Sequence, residues 1–504
     1  MKILKSIKRF AETDRKALIC DGESMSYKEL DNISDAIAAF ILREFGMDRT
    51  PVVLYGNKEN LMMAVMMAAL KSGRAYVPID ISYPKERVET IMSEVHPKVL
   101  FDFSEGNEFN GTRVLRKDDV DSIVKECKNI KVKEENWVKG DENAYILFTS
   151  GSTGKPKGVQ ISSNNLDNFV DWIGEYLKLD ESEEIFMNQA AYSFDLSVTS
   201  IYPGLCYGKT LHGLSKKTLS NLKNMFDDIS KSNINLWVST PSFAGMCVAQ
   251  DNFNAEMLPQ LKAMVFVGEV LPKTLCEELL NRFPNTRIIN GYGPTEATVA
   301  ISINDMNRSL LEQEGSLPIG HPMKNSIVKI CDENGDEVKE GQKGEIVIIG
   351  PSVSKGYFNN EEKTNKSFFY ADYKGSKCRA YKTGDLGYYK NGNMYYCGRI
   401  DFQIKLNGYR IEIEDIENNL IKVSNVKNAA VVPVKKDNKI AYLTAFVQLK
   451  EDNGLSGLKN GISIKKELGT LIPSYMVPRN VKIVKGFPTN VNGKIDRKKL
   501  LEEV

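Results

Sequence analysis

The chain has 504 residues, of which 42% are hydrophobic and 26% carry a charge. This length exceeds what a single hydrophobic core usually serves, and the composition is typical of a soluble globular protein, so we expect two or three domains. The 67 basic and 66 acidic side chains leave a net charge of +1, which gives no basis for a polyanionic partner such as nucleic acid.

The eight cysteines are scattered along the chain and include no C-x-x-C pair, so they indicate neither a zinc site nor a redox motif. Reduced thiols are typical of cytosolic proteins, and we therefore expect a cytoplasmic location. The basic N-terminus has no continuous apolar stretch and does not resemble a signal peptide. The most apolar run, residues 61–70, is shorter than the ~20 residues that a membrane-spanning helix needs, so it predicts a core helix and no membrane insertion.

The first predicted elements alternate between helices and strands. Ile3, Leu4, Ile7 and Phe10 share one helical face, and a capping box at residues 26–29 begins a second amphipathic helix. The predicted strands of this part are residues 51–55, 75–79 and 98–101. Because helices separate these strands, right-handed crossovers and a parallel sheet are expected.

A glycine-rich loop follows the apolar run at residues 144–148. It reads Thr149-Ser-Gly-Ser-Thr-Gly-Lys-Pro-Lys-Gly158, so glycines, hydroxyls and lysines lie together after a buried strand, a combination suited to binding phosphate. The loop does not match the G-x-x-x-x-G-K-[ST] nucleotide template, because Pro156 and Val159 stand at key positions. Taken alone, it is equally compatible with a flexible surface segment.

The second half of the chain continues the alternation of helices and strands and then changes to short strands separated by glycine turns. The predicted elements are strands at 235–238 and 264–267 and a helix at 274–282. Short strands and glycine turns predict a β-rich subdomain at about 315–400, and residues 401–504 predict a smaller C-terminal α+β domain, to which the resemblance described below adds mobility. We therefore expect an α/β fold in which residues 1–400 form a large N-terminal domain of parallel-rich sheets and helices.

Four motifs, in this order and spacing, resemble those of the adenylate-forming (ANL) superfamily, which comprises acyl-CoA synthetases, luciferases and amino-acid adenylation enzymes. They are the loop at 149–158, Asn290-Gly-Tyr-Gly-Pro-Thr-Glu296, Tyr381-Lys-Thr-Gly-Asp385, and Gly398-Arg-Ile-Asp401 leading into residues 405–412. The resemblance covers nearly the whole chain. It implies an AMP-forming enzyme that uses ATP and Mg²⁺.

The resemblance also assigns roles to individual residues. Tyr292 would lie against the adenine, Asp385 would accept both ribose hydroxyls, and Glu296 would hold Mg²⁺ through a hard carboxylate oxygen. The implied ATP-binding residues are Thr149, Ser150, Thr153, Asn290, Gly291, Tyr292, Gly293, Pro294, Thr295, Asp385, Tyr396, Arg399 and Lys494.

The residues alone leave a structural interpretation open for several of these positions. Tyr292 is equally suited to a hydrophobic core, and Glu296 to the N-terminus of a helix. Asp385 is suited to an Asx turn, and Arg399 to a surface ion pair. The complete set of motifs favours the nucleotide-binding roles.

Lys494, in the run Asn-Gly-Lys-Ile-Asp near the C-terminus, resembles the catalytic lysine of the superfamily, which meets the substrate carboxylate and the α-phosphate as charge develops there. Asp401 resembles the hinge about which the C-terminal domain swivels between adenylate formation and transfer to a thiol. After the swivel, the face around residues 405–410 would replace Lys494. A solvated lysine and a plain strand–turn pairing at 405–412 are the alternatives.

Asp195, in Ser193-Phe-Asp-Leu-Ser-Val198, is the most informative specificity residue. In amino-acid adenylation enzymes the matching Asp pairs with the substrate ammonium, whereas the acids of acyl-CoA synthetases lack that charge. By the same resemblance Val267 and Val299 line the substrate pocket, and Lys494 meets the substrate carboxylate. A helix cap is the structural alternative for Asp195.

Four runs carry a narrower resemblance: residues 193–203, Ser239-Thr-Pro-Ser-Phe243, Gly268-Glu-Val-Leu-Pro272 and residues 293–300. Through them the chain resembles, among amino-acid adenylation enzymes, the family of D-alanine–D-alanyl carrier protein ligases. It departs from that family at Thr199, Val267 and Gly291, where Met, Cys and Thr are usual. We expect the smaller groups at 199 and 291 to enlarge the pocket and Val267 to narrow it slightly. One methylene of space changes selectivity by about 1–3 kcal/mol, so the substrate preference is open to change.

These features predict a ligase that adenylates a small amino acid, with D-alanine favoured, and passes it to the phosphopantetheine thiol of a separate, small acidic carrier protein. By resemblance, the product would feed the D-alanylation of teichoic acids in a Gram-positive cell wall. Three alternatives stay open: adenylation of another amino acid in nonribosomal peptide biosynthesis, a non-catalytic nucleotide-binding paralogue, and a carboxylate–CoA ligase, which Asp195 disfavours.

Overall fold

The computed structural model describes residues 1–104, 109, 111–151, 154–373, 375–436, 439–488 and 495–504. Its α-helices are α1 (Lys2–Phe10), α2 (Tyr27–Phe45), α3 (Asn60–Lys71), α4 (Lys85–Val95), α5 (Lys117–Glu126), α6 (Ser163–Leu177), α7 (Val198–Cys206), α8 (Lys216–Leu219), α9 (Leu222–Lys231), α10 (Pro241–Val248), α11 (Lys273–Arg282), α12 (Arg308–Glu312), α13 (Glu361–Ser367), α14 (Ile413–Leu420), α15 (Gly457–Leu471) and α16 (Arg497–Glu502). Within the described ranges, every helix is too short or too polar to span a lipid bilayer.

The strands are β1 (Lys16–Cys20), β2 (Glu23–Ser26), β3 (Val52–Gly56), β4 (Tyr76–Asp80), β5 (Val99–Asp102), β6 (Arg113–Leu115), β7 (Asn143–Thr149), β8 (Lys157–Ser162), β9 (Ile185–Asn188), β10 (Thr210–Gly213), β11 (Leu236–Ser239), β12 (Ala263–Phe266), β13 (Arg287–Tyr292), β14 (Ser302–Asp305), β15 (His321–Pro322), β16 (Ile327–Cys331), β17 (Gly344–Ile349), β18 (Phe368–Tyr373), β19 (Ser376–Lys390), β20 (Asn393–Arg399), β21 (Gln403–Leu406), β22 (Tyr409–Glu412), β23 (Val426–Lys436), β24 (Lys439–Leu449) and β25 (Asn480–Ile483). Short 3₁₀ turns lie at Glu134–Asn136, Asp195–Ser197, Thr295–Ala297 and Ser474–Met476.

The chain divides into two compact units. The first contains Met1–Asp80, Val95–Leu147 and Gly158–Ile400, and the second contains Ile81–Glu94, Phe148–Lys157 and Asp401–Val504. The α/β fold class predicted from the sequence is confirmed.

The first sheet of the larger unit has the strand order β6-β5-β3-β4-β7-β8. β3 pairs in parallel with both β4 and β5, as expected for strands separated by helices. Helix α3, predicted from the most apolar run, is buried from Met62 to Lys71. The fully buried Lys71 ammonium lies 2.7 Å from the Asp31 carboxylate and 2.9 Å from that of Asp35, so helix α2 neutralises its charge.

The second sheet of this unit positions the polar residues of the candidate site. Its strand order is β15-β14-β13-β12-β11-β9-β10-β1-β2, and neighbouring strands from β1 to β13 along this order run in parallel. Ligands of open α/β sheets bind outside the carboxyl ends of the strands. Tyr292 ends β13, Val267 directly follows β12, and Asp195 lies in the connection after β9. All three residues therefore lie at the carboxyl ends of the parallel strands.

The β-rich texture after about residue 315 corresponds to antiparallel strands in the order β16-β17-β19-β18, with β20 paired to β19. Asp385, interpreted from the sequence as the end of a turn, lies inside β19 and pairs directly with Arg399 of β20. The turn prediction was wrong because Gly384, with φ +71°, takes a left-handed conformation inside a continuous strand.

The smaller unit is built on the strands β23-β24-β25. Its buried core contains Ile413, Ile416 and Leu420 of helix α14. Within this unit Arg87 forms a buried ion pair with Asp415 at 3.4 Å. Burial raises the pKa of Asp415, and the Arg87 charge opposes that shift.

Predictions that depend on neighbouring residues are confirmed closely. Helix α1 buries Ile3, Leu4, Ile7 and Phe10, the face predicted from its spacing. The capping box is present at the start of α2, where the Glu29 backbone N–H donates to the Ser26 hydroxyl and the Glu29 carboxylate accepts from the Ser26 backbone N–H.

Candidate active site

The Asp385 carboxylate is the centre of a buried polar cluster. The Tyr292 hydroxyl donates to Asp385 Oδ2 at 2.6 Å, and Arg399 Nη1 donates to Asp385 Oδ1 at 2.7 Å. The Arg399 side chain is only 9% exposed, so this pair is not the surface ion pair left open by the sequence. A carboxylate has about four lone-pair sites, so Asp385 can accept further hydroxyl donors while both partners stay bound.

Tyr292 is held in this cluster by its position at the end of β13. Burial raises its pKa well above the ordinary value, and the negative charge of Asp385 raises it further, so the phenol stays a hydrogen-bond donor. Its ring centroid lies 6.3 Å from that of Tyr396 at an interplanar angle of 36°. The structure thus brings together four predicted ATP-site residues: Tyr292, Asp385, Tyr396 and Arg399.

Asp195 lies beside the second motif. The Thr295 hydroxyl donates to Asp195 Oδ2 at 2.6 Å, a contact between residues one hundred positions apart that the sequence did not predict. Helix α7 has Ser197 as its cap residue, without a side-chain cap bond, so the helix-cap interpretation of Asp195 is wrong. The half-buried Asp195 carboxylate is therefore held next to the motif at 290–296, at the carboxyl ends of the parallel strands.

Glu296 is fully buried and follows Thr295 in a three-residue 3₁₀ turn. The Tyr357 hydroxyl donates to Glu296 Oε1 at 2.8 Å. No helix continues beyond this turn, so the helix-terminus interpretation of Glu296 is not supported. A buried carboxylate oxygen is a hard ligand of the kind that Mg²⁺ takes.

The segment after Glu296 is strained. Thr298 and Val299 have φ values of +58° and +71°, a left-handed conformation that β-branched residues rarely adopt. Gly293 permits the fold of this segment, because a Cβ atom there would lie 2.6 Å from the Val299 carbonyl oxygen. Strain of this kind is common at ligand sites, and it fixes Val299, a predicted pocket residue, in a buried position.

Other predicted site residues belong to the smaller unit or are not described. The Ser150 hydroxyl donates to the Arg410 carbonyl at 2.8 Å and accepts from the Glu412 N–H at 3.1 Å. Thr149 ends β7, and Asp401 is the first residue of Asp401–Val504, the last of the three segments that form the smaller unit. Thr153 and Lys494 lie outside the described residues. Residues 405–412 form the β21–β22 hairpin, so the strand–turn pairing left open for this run is present.

Asn290 and Pro294 complete the motif in the larger unit. Asn290 Nδ2 donates to the Pro318 carbonyl at 2.8 Å, whereas its buried Oδ1 has no hydrogen-bond partner among the described residues. Pro294 precedes the 3₁₀ turn as its cap residue. The Asn290 side-chain oxygen can therefore still accept a hydrogen bond near the carboxyl end of β13.

Comparison with known proteins gives a family for this arrangement. The family model described as AMP-binding enzyme matches residues 7–358, and that of the AMP-binding enzyme C-terminal domain matches residues 415–494. The chain belongs to the AMP-binding enzyme family. The predicted ATP-dependent, AMP-forming ligase is thereby confirmed at the level of the family, as is the resemblance to adenylate-forming enzymes.

Members of this AMP-binding family with the name D-alanine–D-alanyl carrier protein ligase match nearly the whole chain. One from Listeria monocytogenes is 46% identical over 96% of this chain and 95% of its own length. One from Bacillus anthracis is 43% identical over 100% of both chains. These matches confirm the resemblance to that family of ligases.

Solved structures that contain adenylation domains share the fold. An artificially fused NpsA-ThdA adenylation–carrier di-domain from Klebsiella oxytoca has a TM-score of 0.84 at 23% identity and covers 95% of this chain and 93% of that chain. The Vibrio cholerae adenylation domain AlmE, solved with glycyl-adenosine-5'-phosphate, has a TM-score of 0.84 at 21% identity and covers 100% and 96%. At these identities the likeness concerns the fold alone.

The packing around Gly291 corrects the expected pocket size in this AMP-binding enzyme. A Cβ atom on Gly291 would lie 2.9 Å from Val267 Cγ2 and 3.0 Å from Ile303 Cγ2. The expectation that a small residue at 291 enlarges the pocket is wrong there, because the side chains of Val267 and Ile303 already fill that space. Gly291 and Val267 therefore act as one packing unit.

Substitution of Gly291 by alanine is expected to destabilise the fold by about 1–3 kcal/mol, because the new methyl group overpacks against Val267. The double variant Gly291→Ala/Val267→Ala should lose less free energy of unfolding than the two single variants added together. We expect this difference to be about 1–2 kcal/mol in urea unfolding. Val53→Ala, in the other sheet, is the matched control and should add to Gly291→Ala without coupling. Simple additivity of Gly291→Ala and Val267→Ala would contradict the packing.

Lys58 is a residue near the site that the sequence analysis did not identify. It is 2% exposed, donates to Asn188 Oδ1 at 2.8 Å and to the Ala190 carbonyl, and lies 4.1 Å from the Tyr192 ring centroid. It therefore ties the end of β3 to the segment that leads from β9 to Asp195. The only signal in the sequence was a lysine two residues after the end of a buried strand, which is uninformative without its distant partners.

Burial lowers the pKa of Lys58 from 10.5 to about 7, although nearby Cys20, Asp80 and Glu59 oppose the shift. The unfolded chain then binds one more proton than the folded chain between pH 7 and 10.5, so the lysine destabilises the fold most below pH 7. We expect the stability gained by Lys58→Met relative to wild type to shrink by about 1.4 kcal/mol per pH unit above pH 7. Urea unfolding from pH 6 to 10 measures this trend, with exposed Lys139→Met as the baseline; a pH-independent difference would contradict it.

Proposed function

We propose that the chain adenylates D-alanine with ATP and transfers it to the phosphopantetheine thiol of a D-alanyl carrier protein. The carrying observation is the half-buried Asp195 carboxylate, which is held by Thr295 beside the nucleotide-site motif. An anion in this place suits a substrate with an ammonium group and offers nothing to a simple fatty or aromatic acid. Relatives that are 43–46% identical and bear the name D-alanine–D-alanyl carrier protein ligase support the choice of substrate and carrier.

In the first half-reaction, the ammonium of D-alanine pairs with Asp195, and Val267 and Val299 enclose the methyl group. A carboxylate oxygen of the substrate attacks the α-phosphorus of ATP, and the bond from that phosphorus to the oxygen of the leaving pyrophosphate breaks. Asp385 accepts the ribose hydroxyls and so fixes the α-phosphorus relative to the amino acid. Lys494 offsets the negative charge that develops on the carboxylate and phosphate oxygens.

Glu296 would hold Mg²⁺ in this site. Mg²⁺ is usually bound by one or two carboxylates together with substrate phosphates, and a fully buried Glu296 fits that donor set. The described residues contain no group of three or more His, Cys, Asp or Glu side chains that could hold a metal unaided. When bound, the ion would neutralise phosphate charge.

In the second half-reaction, the C-terminal domain of residues 401–504 rotates about Asp401 and withdraws Lys494. The sulfur of the carrier's phosphopantetheine attacks the carbonyl carbon of the alanyl adenylate and forms a thioester. The bond from that carbon to the phosphate oxygen breaks, AMP leaves, and the thiol proton passes to solvent. We place this reaction in the cytoplasm, where ATP is available, and assign its product to the D-alanylation of teichoic acids.

Transfer to the carrier tests this function directly. Incubation with ATP, Mg²⁺, D-alanine and phosphopantetheinylated D-alanyl carrier protein should increase the intact mass of the carrier by one alanyl group. The carrier without its phosphopantetheine arm is the control and should stay unmodified. Loading that is best with a bulky L-amino acid, or transfer to free CoA in place of the carrier, would contradict the proposal in favour of peptide biosynthesis or CoA ligation.

A further inference from the structure

Two buried hydroxyl groups near Asp195 lack a hydrogen-bond partner among the described residues. They are Thr199 Oγ1 and Tyr145 Oη, on side chains that are 1% and 0% exposed. Folded proteins rarely leave buried hydroxyl groups unsatisfied, because each loses its bonds to water on burial. A pair of such groups in one place points to a bound polar group that completes them.

The two hydroxyl groups lie in one neighbourhood. Asp195, Thr199 and Tyr202 follow one another at intervals of four and three residues, so they share a face of α7 and of the 3₁₀ turn that precedes it. The Tyr145 ring centroid is 6.4 Å from that of Tyr202. Burial raises the pKa of Tyr145, and the neighbouring Tyr76 and the charge of Asp195 raise it further.

Two tyrosines that neighbour Tyr145 have satisfied hydroxyl groups, so the lack of a hydrogen bond is particular to Tyr145 within this cluster. The hydroxyls of Tyr76 and Tyr202 bond to each other at 2.9 Å, which satisfies both groups. Tyr145 packs against both rings, at 5.8 Å and 6.4 Å, but its own hydroxyl does not join that bond. The unsatisfied groups are therefore the hydroxyls of Tyr145 and Thr199, and Thr199 follows Asp195 by about one helical turn.

We propose that Thr199 and Tyr145 form a polar subsite beside Asp195 that binds a hydroxyl group on the β-carbon of the substrate, so that the enzyme activates D-serine in addition to D-alanine. This inference rests on the proposed function, because it assigns the side-chain pocket of the same amino-acid site. A hydroxyl group both donates and accepts, so one serine side chain can satisfy both orphaned groups. With D-alanine, whose methyl group cannot do this, both hydroxyls keep their missing bonds.

The test compares two substrates of the same shape. D-serine and D-2-aminobutyrate differ only in a hydroxyl group against a methyl group, so their kcat/KM ratio in ATP–pyrophosphate exchange isolates the polar contact. We expect wild type to prefer D-serine by about 10- to 100-fold. Thr199→Val, which keeps the shape of the side chain and removes its hydroxyl, should bring the ratio towards one, and Tyr145→Phe should lower it as well.

Each outcome of this comparison decides the proposal. A wild-type ratio near one, or a high ratio that neither variant lowers, would overturn the subsite. If Thr199→Val lowers kcat/KM equally for both substrates, the subsite is also overturned, because the hydroxyl would then help to bind the substrate ammonium or stabilise the fold. Thermal unfolding without ligand supplies a second readout: removal of an unsatisfied hydroxyl should not lower the Tm of Thr199→Val. Absence of exchange with D-alanine in wild type would instead refute the proposed function.

Discussion

Replacement of Asp195 by asparagine is expected to lower kcat/KM for D-alanine-dependent pyrophosphate exchange by about 100- to 1,000-fold. The variant keeps the size of the side chain and an acceptor for the Thr295 hydroxyl, which lies 2.6 Å away, but removes the negative charge. The substrate ammonium would then enter a half-buried site without a counter-charge, a loss that costs about 3–4 kcal/mol. The same variant should discriminate less strongly against propionate, which carries no ammonium.

Asp305→Asn is the matched control for this experiment. Asp305 also belongs to the larger unit and forms an ion pair at 2.8 Å with Arg287, which is the first residue of β13, whereas Tyr292 is the last. We expect this variant to lose some stability and to retain exchange. A folded Asp195→Asn enzyme that exchanges as fast as wild type would show that the ammonium does not bind at Asp195.

Replacement of Asp385 by asparagine is expected to lower kcat/KM for ATP by about 100-fold or more. Asp385 bonds to Tyr292 at 2.6 Å and to Arg399 at 2.7 Å, so its loss leaves a buried guanidinium without its counter-charge and removes the acceptor proposed for both ribose hydroxyls. ATP binding stabilises the folded wild-type protein through mass action. The rise in Tm on addition of ATP should therefore disappear in Asp385→Asn.

Tyr292→Phe separates the two contributions within this cluster. It removes only the hydroxyl that donates to Asp385 and leaves the carboxylate and Arg399 in place. We expect a loss of about 10-fold or less, in proportion to a single hydrogen bond. If Asp385→Asn retains both its ATP-dependent rise in Tm and its exchange rate, the carboxylate has no role in nucleotide binding.

Local signals in the sequence predicted the parts of this fold that depend on neighbouring residues. The buried face of α1 and the capping box of α2 follow from spacings within a few positions, so they were predictable. The position of Asp385 was not, because a Thr-Gly-Asp run is typical of a turn, and only pairing with β20 keeps it within a strand. Long-range strand pairing overrides local preference at such places.

The candidate site was predicted as a set of residues but not as a set of contacts. Asp195, Tyr292, Glu296 and Asp385 were identified because each lies in a contiguous motif. Their partners are distant in sequence: Thr295 bonds to Asp195, and Tyr357 bonds to Glu296 across 61 positions. The contact of Gly291 with Val267 likewise appears only when β12 and β13 are paired, so its effect on the pocket was misjudged.

The most direct test of a charge-selective amino-acid site is ATP–pyrophosphate exchange by the wild-type enzyme with D-alanine, L-alanine and propionate side by side. We expect rapid exchange with D-alanine, slower exchange with L-alanine, and exchange near background with propionate, which has no group for Asp195 to bind. Exchange with propionate as fast as with D-alanine would contradict it, since an enzyme that ignores the ammonium cannot owe its selectivity to that carboxylate.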